Sequence, residues 1–202
     1  MFQFHKAERK KGKLRLAIAG PAGSGKTYSA LLIAFGLGGR VAMIDTERGS
    51  GELYDHLGEY DVSSIVAPFE PRKYIETIRG AEELGYETII IDSLTHAWAG
   101  QGGLLDTHGS IADRTGNSWS AWRQVTPKHN ELVDTMLQSR CHVIATMRSK
   151  MEYPGGGKRQ EAGQEARHEP DSERWSRVRI FALSGPRLQP RRLGHEGQDY
   201  PL

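Results

Sequence analysis

Eight residues near the start of the chain constrain it more than any other feature. Gly20-Pro21-Ala22-Gly23-Ser24-Gly25-Lys26-Thr27 fits G-x-x-x-x-G-K-[ST], and it lies between an apolar run and a segment of helical character. Glycines at these positions let the backbone turn back so that its N–H groups approach an anion without side chains in the way. The helix that follows points its positive end at the same place. The lysine suits the outer phosphates of a polyphosphate, and the threonine hydroxyl suits the accompanying Mg²⁺. We therefore expect the loop Gly20, Pro21, Ala22, Gly23, Ser24, Gly25, Lys26, Thr27, with Tyr28 next to it, to bind a nucleotide. A glycine-rich turn that binds nothing is the alternative.

The rest of the first three quarters supplies a matching framework. Apolar runs at Lys13–Ala19, Arg40–Asp45, Val62–Ala67, Thr88–Ile91 and His142–Thr146 read as strands. Between them, Lys26–Leu37, Pro71–Leu84 and Trp119–Gln138 read as helices, the last with a kink or break expected at Pro127. Strands alternating with helices of this length imply a mostly parallel α/β sheet with right-handed crossovers.

Two acids follow strands on this reading. Asp92 ends the Ile89-Ile90-Ile91 run and can serve the metal of a nucleotide, or simply cap the next helix. Glu47 follows the second strand in Asp45-Thr46-Glu47, and the carboxyl ends of parallel strands face a ligand crevice. Glu47 is thus either a base for an attacking water or a solvated loop acid. The histidines lack ligand-like spacing, and the lone Cys141 excludes an intrachain disulfide framework and any multi-thiolate metal site. A net charge of +2 neither demands nor forbids a nucleic-acid partner. No apolar run reaches the roughly 18 residues of a membrane span, so a soluble, cytoplasmic protein is expected.

The segments GPAGSGKTYSALLIA, VAMIDTERGSGELYDHL, GYETIIIDSLTHAW and NSWSAWRQVTPKHNELVDTMLQSRCHVIATMRSK together carry a resemblance. Over residues 13–150 the chain resembles RecA-like P-loop ATPases, specifically the phage-borne ATP-binding proteins labelled AAA-family ATPases. The resemblance implies a RecA-like P-loop NTPase core binding ATP and Mg²⁺ and hydrolysing ATP in a bacterial host cell. Glu47 would be catalytic together with Lys26, and Thr27 and Asp92 would hold the metal. RecA has an Asn-Gln pair at the end of the strand after the Asp-Ser step, whereas this strand ends Ala145-Thr146; Thr146 is the candidate γ-phosphate sensor, with Arg148 as its neighbour. DNA recombination or single-strand annealing, on single-stranded DNA and as a homo-oligomer, is the implied role. A nucleotide-dependent binding or packaging module and a P-loop phosphotransferase stay open beside it. The resemblance also implies two DNA-binding loops, at the glycine-rich stretch Ala99–Ser118 and after Arg148; Arg114 with Trp119 and Trp122 could hold single-stranded DNA, or the two tryptophans could face the core beneath a lid.

The ends read differently. Residues 1–12, with Lys6, Arg9, Lys10 and Lys11, form a basic arm, and 151–202 an irregular tail. Relatives continue after MRSK with segments absent here. Back-translated in a shifted frame, His168–Phe181 can encode MNPIQRDGVEYEF, Gly185–Pro190 DLDYNH and Gly194–Asp199 VTKDRT. We read the frame as lost between Tyr153 and His168; a gene whose alternative frame lacks these segments refutes this.

Overall fold

The structure, a computed structural model, describes residues 12–149 and the backbone of 179–182. Strand β1 (Arg15–Gly20) passes through a loop into α1 (Lys26–Leu37). Then come β2 (Val41–Asp45), a 3-10 segment (Ser50–Leu57), β3 (Asp61–Ser64), α2 (Pro71–Glu83) and β4 (Thr88–Asp92). Three consecutive helices, α3 (Thr95–Ala99), α4 (Leu104–Thr115) and α5 (Ser118–Gln138), precede β5 (His142–Arg148), and β6 (Arg179–Ala182) completes the sheet.

The strand order is β3-β2-β4-β5-β1-β6. All neighbouring pairs are parallel except β1–β6. Strand β5 therefore stands between β1, which feeds the glycine loop, and β4, which ends in Asp92. This is the α/β architecture, a mostly parallel sheet flanked by helices with a glycine loop between β1 and α1, that the sequence led us to expect.

Alternation along the strands sorts side chains to the two faces. Ile89, Ile91, Val143 and Ala145 pack with Tyr74, Ile75 and Ile78 of α2 and Leu132 and Met136 of α5. Ile90, Ile144, Ile18 and Met43 turn the other way, onto Ala30, Leu31 and Ala34 of α1. A strand buried on both faces has no polar side, which is why Thr88–Asp92 reads as an unbroken apolar run. The buried Arg15 guanidinium ties the end of α5 to the sheet by donating to the carbonyls of Leu137, Ser139 and Cys141.

Several expectations need correction. Most of 99–118 is not a loop: α4 occupies Leu104–Thr115. Two of its glycines mark the helix ends, Gly103 at the start and Gly116, left-handed at φ 65°, after the last turn, while Gly109 lies within α4. Asp106, in the first turn, accepts from the Gly102 N–H at 2.8 Å, and Leu104 is buried. Of the kink or break expected at Pro127, the break does not occur: α5 continues past it, anchored by buried Ala121 and Val125 before the proline and Leu132 and Met136 after it. Its start is fixed by Asn117, whose Oδ1 accepts from Ser120 N–H at 3.0 Å. The third strand stops at Ser64 rather than reaching Ala67. Within the segment read as an irregular tail, Arg179–Ala182 forms β6 along the outer edge of β1. The basic arm up to Lys11 and the remainder of the tail lie outside the described residues.

Candidate nucleotide site

Register brings the functional residues to one edge. In the sheet, Asp45 pairs with Asp92 and Gly20 with Arg148, so β1, β2, β4 and β5 all end together around the glycine loop. Gly23 and Gly25 have φ of 74° and 80°, left-handed values that strain any residue with a Cβ. No side chain caps the start of α1, which leaves its first amides facing the loop. The Ser24 hydroxyl is buried without a hydrogen-bond partner. An orphaned hydroxyl among uncapped amides fits a phosphate group.

Lys26 is largely buried and donates to the Pro21 carbonyl at 2.7 Å, folded back across the loop. Burial lowers its pKa, Glu47 and Asp92 pull it upward, and Arg148 pushes it down again. Thr27 donates to Asp92 Oδ2 at 2.7 Å, and Thr146 donates to Asp92 Oδ1. Asp92 is 1% exposed; burial raises its pKa against the pull of these two hydroxyls. A hydroxyl and a desolvated carboxylate are hard oxygen donors, and Mg²⁺ is usually held by one or two such groups together with substrate phosphates. Thr27 and Asp92 therefore fit the metal. Among the described residues no cluster of three or more His, Cys, Asp or Glu side chains forms a separate metal cage.

The turn after β2 presents Glu47. Asp45 accepts the N–H groups of Glu47 at 2.7 Å and Gly49 at 2.6 Å, closing an Asx-type turn with Arg48 and Gly49 both at positive φ. Thr46 joins this turn to the end of β4. It accepts from Ser93 N–H at 2.9 Å, and its hydroxyl lies 2.7 Å from His96 Nδ1. Both oxygens of Glu47 meet Arg148: Nε is 2.9 Å from Oε1 and Nη2 is 2.8 Å from Oε2. Burial by itself would raise the Glu47 pKa, but Arg148, with His96 and Lys26, more than offsets it and holds the carboxyl below its usual range.

The residues singled out from the sequence thus separate into three groups. Lys26, Thr27, Asp92 and Glu47 converge with the loop residues Gly20 to Gly25. Thr146 is fully buried behind Asp92, so it meets the site through that carboxylate. Tyr28 points away, 42% exposed and edge-on to Tyr54 at 6.3 Å. Sequence reasoning did not find the Asp45 turn cap, the Thr46–His96 link or the Glu47–Arg148 pair. The first had a local signal in Asp45-x-Glu47 before glycine; the others join segments far apart in the chain.

The two tryptophans of α5 also part company. Trp122 lies against His108 and Trp98, with ring centroids 4.1 and 6.1 Å away. Trp119 is 71% exposed, with the Arg123 guanidinium 5.4 Å from its ring centroid.

Two similar solved structures are a KaiC-like protein from the hyperthermophilic archaeon Pyrococcus horikoshii OT3 and the RadB recombinase. The first is 18% identical with a TM-score of 0.35, over 65% of this chain and 59% of that one. The second is 16% identical with a TM-score of 0.40, over 72% and 67%. This chain therefore spans less than two thirds of the KaiC-like protein's length. Likenesses this slight say nothing of what the chain acts on. No curated protein matches it. The family described as AAA domain matches residues 12–176, most of the sequence, and the chain belongs to that family of P-loop ATPase domains.

Proposed function

We propose that this chain is a Mg²⁺-dependent ATPase of phage origin that acts on single-stranded DNA in recombination or annealing. The observation that carries the catalytic part is the convergence of Lys26, Thr27, Asp92 and Glu47 at the ends of three parallel strands around one glycine loop. Loop amides and Lys26 would bind the β- and γ-phosphates. Thr27 and Asp92 would hold Mg²⁺, which when bound offsets phosphate charge. Glu47 would take a proton from water as the water oxygen bonds to the γ-phosphorus. The bond from that phosphorus to the β,γ-bridging oxygen breaks, leaving ADP and inorganic phosphate.

Exposed Trp119 beside Arg123 supports the DNA part, since an open aromatic face with a neighbouring cation suits base stacking. Trp122, already packed among rings, is the weaker candidate. Exposed Arg114 at the end of α4 would add a phosphate contact. Trp119→Ala is expected to weaken single-stranded DNA binding about 5- to 100-fold, the range of one lost stack, and to leave ATP affinity unchanged. Fluorescence anisotropy of a labelled oligonucleotide checks this.

ATPase assays with and without single-stranded DNA test the whole reading, alongside sedimentation for the homo-oligomer. DNA-stimulated turnover supports it. Turnover indifferent to DNA favours a binding or packaging module, and ATP consumption only with a small acceptor favours a phosphotransferase.

A further inference from the structure

The Glu47–Arg148 pair poses a chemical problem for a base. With each carboxylate oxygen accepting one bond from the guanidinium, a lone pair on each is engaged and the adjacent positive charge makes Glu47 a weaker base. Drawing Arg148 away would restore the basicity of Glu47.

Arg148 is placed so that an incoming phosphate could do this. It is the last residue of β5 and pairs in register with Gly20, the first residue of the glycine loop. Its backbone is fixed: Arg148 N–H donates to Thr95 Oγ1 at 2.8 Å, and Ser149 N–H to the Gly20 carbonyl at 3.1 Å. Its side chain is not enclosed, being 44% exposed against 20% for Glu47. Lys26 feels both Glu47 and Arg148, so the pair lies within electrostatic reach of the loop lysine. A guanidinium binds phosphate with the same two-pronged geometry it uses for carboxylate.

Resting on the ATPase reading above, we propose that Arg148 reads the terminal phosphate: a triphosphate draws the guanidinium off Glu47 and frees the carboxylate, whereas a diphosphate leaves the pair closed. Arg148 thereby makes the base available only when there is a γ-phosphate to attack. Glu47 and the γ-phosphate compete for one cation, so each should weaken the other's hold on it.

Calorimetric titration of the full chain with a non-hydrolysable ATP analogue and with ADP, each with Mg²⁺, tests this. Arg148→Ala is expected to weaken the triphosphate about 10-fold or more, the usual worth of a charge-assisted contact, and to shift ADP by less than about twofold. Glu47→Gln, which removes the competing charge, is expected to tighten the triphosphate about 3- to 10-fold, an effect that vanishes in the Arg148→Ala background. Arg148→Lys keeps the charge and should retain part of the triphosphate preference, and it carries the test if the alanine variant does not fold. Equal weakening of both nucleotides by Arg148→Ala, or no change in either, overturns the proposal and leaves the ATPase reading standing. Wild-type protein that binds neither nucleotide overturns both.

Discussion

Glu47→Gln is expected to lower ATP turnover by about 10²- to 10⁴-fold, the range for losing a positioned general base, without loss of ATP binding. Glutamine preserves the length of the side chain and can still accept a hydrogen bond from Arg148, so the turn held by Asp45 should survive. It cannot take a proton. Initial rates of phosphate release, measured beside nucleotide affinity, separate the two effects. An amide variant that hydrolyses at the wild-type rate removes Glu47 from the mechanism. Reduced rate with unchanged or tighter binding is the signature of a group acting in the transition state rather than in ground-state binding.

The second large effect is on stability. Ile90→Ala is expected to destabilise the fold by about 2–5 kcal/mol, against a total of about 5–15 kcal/mol for a typical domain. Ile90 is fully buried at the middle of β4, with Met43 and Ile144 beside it in register and the α1 face packed over it. Its neighbours belong to a sheet hydrogen-bonded on both sides and can collapse only slightly into the void, so the cavity penalty should be felt nearly in full. Urea unfolding reads it as a lower midpoint at unchanged slope. A loss below about 1 kcal/mol would mean that the two-faced burial of β4 is not what holds this sheet together.

How much of this was legible beforehand depended on the range of the signal. The glycine loop and α1 carry their conformations in adjacent residues, so α1 falls at Lys26–Leu37 as read. The run ending in Asp92 is apolar throughout because both faces of β4 are covered, and that too is local information. The glycines around α4 misled because the same residue type marks a loop and the ends of a helix; burial of Leu104 and packing of α4 on α5 decide between them. Pro127 left a kink or a break open; α5 continues past it without a break, held by buried residues on both sides. The Arg148–Glu47 contact spans 101 positions and follows only once β2 and β5 are known to flank β4. Strand order is set by crossovers that no local pattern records, and the partners that tune Glu47 come from that order.

Equilibrium binding of ATP with Mg²⁺ to wild-type protein and to Lys26→Ala tests the central claim most directly. Wild-type protein should bind, and the variant should bind at least about tenfold more weakly, as expected for losing a charged phosphate contact, with its thermal unfolding otherwise unchanged. Equal affinity in the two proteins would contradict the assignment of the loop from Gly20 to Thr27 as the nucleotide site.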